Sequence, residues 1–142
     1  MELLLRNPCS ASASKLCGIR EQVREVCAQL GYMDSDIDCI VLAIDEACAN
    51  IIRHAYKNQK YGKYILEIFR NNEDVIFRLQ DFADKVDASC FNAKLEAAEE
   101  LSKPGGLGLV LIHRVMDSVQ LLATPGDEGN LLEMRKKLPE GA

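Results

Sequence analysis

The sequence predicts an α+β fold, a two-layer sandwich with helices on one face of a mostly antiparallel sheet. Three observations carry that prediction. Apolar residues recur at three- and four-residue steps through residues 12–30 and again through 37–56. Two β-rich runs, YILEIFR and VIFRLQD, flank Asn71-Asn72-Glu73-Asp74, which is turn chemistry. Two further strand-like runs follow a short third helix near the end. The resulting order, β-α-α-β-β-(loop)-α-β-β, groups helices against one sheet face. At 142 residues, a single domain over 1–142 is long enough to bury a sizeable core without disulfides.

Taken in order, residues 2–6, ELLLR, read as an edge strand ended by Asn7-Pro8, because proline removes a ladder donor. Leu16, Ile19, Val23, Val26, Cys27 and Leu30 make the stripe of the first helix, with charged residues opposite and Gly31 closing it. Asp34 and Ser35 offer acceptors for the free amides of the second helix, whose stripe is Ile37, Ile40, Val41, Ile44, Cys48, Ile51 and Ala55. The hairpin over 64–81 follows; its alternation puts Tyr64, Leu66, Ile68 and Arg70 on one face and Ile65, Glu67 and Phe69 on the other. After Asp81 the periodicity fails, leaving a long connection with a short helix predicted over 88–101. A glycine-rich turn, Gly105-Gly106-Leu107-Gly108-Leu109, opens the third helix, and strands over 118–124 and 130–138 are joined by Pro125-Gly126-Asp127-Glu128-Gly129.

Composition narrows the function. Apolar residues at 48% and charged residues at 27% describe an ordinary globular chain, and a net charge of −5 argues against a nucleic-acid footprint. The apolar runs are far too short to cross a bilayer and no leader pattern opens the chain, so no membrane role and a cytoplasmic location are expected. No two of the six cysteines show C-x-x-C spacing; they read as reduced, mostly buried thiols.

On the second helix Glu46, Asn50 and His54 recur every fourth residue and form one row off the apolar stripe. Alone, that row reads as solvated helix surface. A carboxylate and a carboxamide one turn apart could also hold a metal or orient a reacting oxygen. Asp81 ends a strand where a carboxylate can accept from the exocyclic amino group of a base. The glycines at 105, 106 and 108 allow close backbone approach, and a helix N-terminus favours phosphate. Neither a P-loop nor a Rossmann pattern is present.

Together, Glu46-Ala-Cys-Ala-Asn50 with His54-Ala-Tyr56, then Asp81, then Gly105-Gly-Leu-Gly-Leu109 followed by Ile112-His-Arg-Val-Met-Asp117 resemble the GHKL ATPase superfamily, with its Bergerat fold. Within it, the closer resemblance is to the bacterial anti-sigma-factor serine/threonine kinases of partner-switching systems. The resemblance covers nearly the whole chain and implies ATP and Mg²⁺. It implies Asn50 as the metal ligand, Asp81 as the adenine-recognising residue, with Ala83 beside it, and the backbone of Gly105, Gly106, Leu107, Gly108 and Leu109 against the nucleotide. Glu46 is implied as the general base and residues 84–104 as a lid. A sigma factor and a small anti-sigma antagonist protein are the implied partners, and a homodimer the implied assembly. Where the family shows Asp-x-Gly, this chain has Asp81-Phe82-Ala83; if that position needs a positive φ, a Cβ costs about 1 kcal/mol. Ala83 therefore motivates the alternative, a non-catalytic or weakly nucleotide-binding regulatory module that sequesters its partner by occupancy alone.

Overall fold

In the computed structural model, which describes residues 1–57, 62–84, 107–124, 126 and 128–140, five strands are β1 Glu2–Ser10, β2 Lys63–Arg70, β3 Asp74–Asp81, β4 Ser118–Leu122 and β5 Asn130–Lys137. They form one antiparallel sheet in the order β1-β2-β3-β5-β4. The α-helices among the described residues are α1 Leu16–Gln29, α2 Asp34–Asn50 and α3 Leu107–Val115, and α2 packs against both of the others. This is the predicted α+β order. The helix predicted over 88–101 and the lid lie outside the described residues.

Period-two patterning decides which sheet face is covered. Tyr64, Leu66 and Ile68 on β2, Val75, Phe77 and Leu79 on β3, and Met134 on β5 are each no more than 1% exposed. They meet Ile19, Val23 and Cys27 of α1, Ile40, Ile44 and Cys48 of α2, and Ile112 of α3 in one core. Burying a large apolar side chain of this kind contributes about 1.5–3 kcal/mol. Of the described cysteines, Cys9, Cys27 and Cys48 are buried and Cys17 and Cys39 exposed, all as free thiols; burial pushes the Cys27 thiol up to about 12. No helix among the described residues is long and apolar enough to cross a membrane.

Two local expectations fail for physical reasons. β1 does not stop at Asn7-Pro8 but runs to Ser10, with Pro8 opposite Ile65. An edge strand has ladder bonds on one side only, so a proline can stand there without breaking the pairing. At the start of α2, the N-cap is Met33 and no side chain caps it; Asp34 is already inside the helix, where Asp34 and Asp36 meet the positive end of its dipole instead. Other turn chemistry holds. Gly31 closes α1 with φ 93°, and Asn71 Oδ1 accepts from the amides of Glu73 and Asp74 at 2.8 and 2.7 Å.

The opposite sheet face carries a polar lattice. Glu133 on β5 is almost fully covered; its carboxylate accepts from Arg78 Nε at 2.9 Å, Arg135 Nε at 2.8 Å and Gln120 Nε2 at 3.3 Å, and Arg78 also lies 5.2 Å from the Phe69 ring centre. Burial pushes the Glu133 carboxyl up, but the bonds from Arg135, Arg78 and Gln120 outweigh it and hold it below the usual range. A depressed folded pKa means stability present above the ordinary value of 4.5 and lost as pH falls through the folded one. Glu133→Gln is expected to cost about 1–3 kcal/mol at neutral pH. In acid the gap should close, which urea unfolding across the two conditions measures; a gap independent of pH would contradict this account.

Candidate functional site

The last turns of α2 place Glu46 and Asn50 on one side of the helix, both half-buried. A side chain that the four-residue spacing does not suggest joins them. Arg53 Nη2 donates to Asn50 Oδ1 at 3.1 Å and stands 3.6 Å from Glu46 Oε2. Seven residues make almost two helical turns, and a long side chain leans back toward the helix N-terminus, so position 53 reaches both. The side chain of His54 lies outside the described residues. Immediately after Asn50 the helix widens into a π-turn, Ile51–Ala55, a feature that recurs at functional sites.

That π-turn delivers Tyr56 to the sheet. Its hydroxyl accepts from the Phe82 amide at 2.8 Å and donates to the Lys63 carbonyl. The end of α2 is thereby joined to the residue after Asp81 and to the start of β2. Gly62 has no side chain because the Tyr56 ring fills that space; a Cβ there would come within 2.4 Å of it.

Asp81 closes β3 on the helix-facing side, opposite Tyr64 and Asn130, and is buried. Its Oδ1 accepts from Asn130 Nδ2 at 3.0 Å and from the Ala83 amide at 3.1 Å. Burial raises the carboxyl above its usual range, and those donated bonds offset part of the rise. Gly129, at φ 69°, lets β5 begin hard against this corner: a Cβ there would lie 2.1 Å from the Asp81 carbonyl oxygen. Among the described residues Lys57 is the only non-glycine with positive φ, so Ala83 carries no left-handed strain.

Leu107, Gly108 and Leu109 already lie within α3, Leu107–Val115, rather than in a loop before it, while Gly105 and Gly106 lie outside the described residues. No acidic side chain occupies the first described turn. At the other end Lys136 Nζ donates to the Val115 carbonyl at 2.9 Å, a cation where the helix dipole is negative. Among the described residues no group of three or more His, Cys, Asp or Glu could hold a metal. What the site offers instead is hard oxygen, from Asn50 and Glu46, which suits Mg²⁺ when phosphate and water complete its shell.

Residues 9–136 match the family described as the histidine kinase-like ATPase domain. The chain belongs to that family. Among curated relatives, the "Serine-protein kinase RsbW" of Bacillus cereus (strain B4264) is 34% identical over 134 residues, covering 89% of this chain and 79% of the relative. Its counterpart in Bacillus mycoides (strain KBAB4) is 33% identical over the same coverage. Two solved structures share the fold. One, the SiaB–SiaC complex from Pseudomonas aeruginosa, has TM-score 0.67 and 18% identity, covering 96% of this chain and 90% of that chain. The other, the RsbU and RsbW domains of a Mycobacterium tuberculosis protein, has TM-score 0.64 and 19% identity over 98% of this chain, which spans only 34% of that longer chain.

Within this histidine kinase-like ATPase domain, sequence reasoning missed Arg53, the tie made by Tyr56, and the pairing of Asn130 with Asp81. Arg53 had a signal, since it lies seven residues from Glu46 on the same helix stripe. The other two depend on strand register and on the π-turn, which no local spacing reports.

Proposed function

We propose that this chain is an ATP-dependent protein serine/threonine kinase and anti-sigma factor, which phosphorylates a small antagonist protein and holds or releases a sigma factor according to that partner's state. The observation that carries it is the Tyr56 tie, which brings the helix bearing Glu46 and Asn50 to the strand end bearing Asp81. The similarity to serine-protein kinases supports it. A homodimer is the assembly proposed for it.

In this reading the buried Asp81 accepts from the adenine amino group, while the amides opening α3, together with Gly105 and Gly106, receive phosphate oxygens. Asn50 Oδ1 would hold Mg²⁺ with phosphate oxygens and water, and the ion supplies charge compensation. Glu46 takes the proton from the substrate serine or threonine; that oxygen bonds to the γ-phosphorus as the bond to the ADP oxygen breaks. The occupancy-only alternative drew on Ala83, whose unstrained backbone removes strain as a reason for it.

Incubating the purified chain with γ-labelled ATP, Mg²⁺ and the antagonist protein tests the reading: label on an antagonist hydroxyl is expected, and none with ATP bound would favour occupancy alone. Asp81→Asn tests the base contact. Its amide oxygen keeps both donated bonds, but its nitrogen presents a donor where adenine also donates, so ATP affinity should fall about 10–100-fold. Because burial raises the Asp81 carboxyl, its ionisation burdens the fold increasingly as pH rises past the ordinary value of 3.8. The same variant should therefore melt higher than the parent at neutral pH. Unchanged ATP affinity would remove Asp81 from the nucleotide site.

A further inference from the structure

Arg53 has no assigned part in the reaction, yet it contacts both of the α2 residues that do. Resting on the nucleotide reading above, we propose that Arg53 is a positioning residue and a built-in cation of the site: it holds Asn50 and Glu46 in place, and Mg²⁺ must displace it from Asn50 to bind.

The argument is one of shared atoms. Asn50 has a single side-chain oxygen, and Arg53 Nη2 already donates to it at 3.1 Å. Its nitrogen cannot ligate a cation. A magnesium ion on that oxygen, at about 2.1 Å, would leave two positive centres within a few ångströms of each other, and like charges that close repel. Glu46, whose Oε2 is 3.6 Å from Arg53 Nη2, gives the guanidinium somewhere to stay when it lets Asn50 go. The exchange is easy because the Arg53 side chain is half exposed, and exposed pairs are weakly held. It therefore tunes the metal requirement without blocking it, and it keeps the base oriented while the site waits for nucleotide.

Nucleotide affinity measured against free Mg²⁺, using a fluorescent ATP analogue and the full chain, tests this. Arg53→Gln should reach half-saturation at roughly two- to fivefold lower Mg²⁺, the worth of one exposed charged contact, whereas Arg53→Lys, which keeps the charge, should stay near the parent. An unchanged or higher Mg²⁺ requirement in Arg53→Gln overturns the proposal. Asn50→Ala separates the two levels. If it abolishes the Mg²⁺ dependence while Arg53→Gln leaves it unmoved, only the Arg53 role fails. If Asn50→Ala leaves the dependence intact, the assignment of Asn50 to the metal fails and the exchange falls with it. Melting in chelator confirms that each variant is folded.

Discussion

Glu46→Gln should slow phosphoryl transfer to the antagonist by roughly 10²- to 10⁴-fold, the usual worth of a positioned general base, while nucleotide affinity stays within about twofold because the interaction removed belongs to the transition state. The substitution is chosen for what it keeps. A glutamine keeps the size of the side chain and leaves the bond from Arg53 to Asn50 Oδ1 in place, while the proton-accepting charge goes together with the 3.6 Å ion pair to Arg53. Alanine would also empty the space beside Arg53 and confuse packing with proton transfer. Single-turnover transfer of labelled phosphate, with ATP saturating, is the measurement. Transfer at the parent's rate would mean that the proton leaves by another route, and Glu46 would then be only part of the charged frame around Asn50.

Gly129→Ala should be the most damaging small change for stability, at about 2–4 kcal/mol. Two costs add. A non-glycine residue at φ 69° pays about 1 kcal/mol or more, and the new Cβ would stand 2.1 Å from the Asp81 carbonyl oxygen and 3.1 Å from Phe82 Cα. Both neighbours are backbone, so they yield only if the ends of β3 and β5 separate, which is the costly form of overpacking. That separation also pulls Asn130 from Asp81, so ATP affinity should fall together with the urea midpoint. A loss below about 0.5 kcal/mol, typical of an indifferent surface change, would show that β5 does not rest on the Asp81 corner.

The fold was legible because most of it rests on burial periodicity. Tyr64, Leu66 and Ile68 alternate with less buried residues, and the stripes of α1 and α2 recur at helical steps, so local pattern and global packing agree. Where the structure departs from the local pattern, the deciding fact is non-local. Pro8 stops a central strand but not an edge strand, and which strand is the edge follows from the sheet order. Asp34 is a fine N-cap residue by type, yet the chain turns one residue earlier, at Met33. The site divides the same way. Glu46 and Asn50 are visible as one helix row, and Asp81 as a strand end. Arg53 was hidden by counting in strict fours, and Asn130 meets Asp81 only through the pairing of β3 with β5. Ala83 stands where the family resemblance implies a glycine, but its backbone is not at the positive φ that would require one.

The widened turn at Ile51–Ala55 works as a phase adjuster between the end of α2 and the end of β3. Wound as plain α-helix, the same residues would carry Tyr56 on by a different angle, since each residue advances about 100°, and its hydroxyl would leave the Phe82 amide. The extra residue in the loop of hydrogen bonds lets Asn50 face one way and Tyr56 another without a break in the chain. Residue number between position 50 and position 56 is thus as tightly constrained as residue type: losing one residue there would preserve every side chain named in this site and still put the two halves of it out of step.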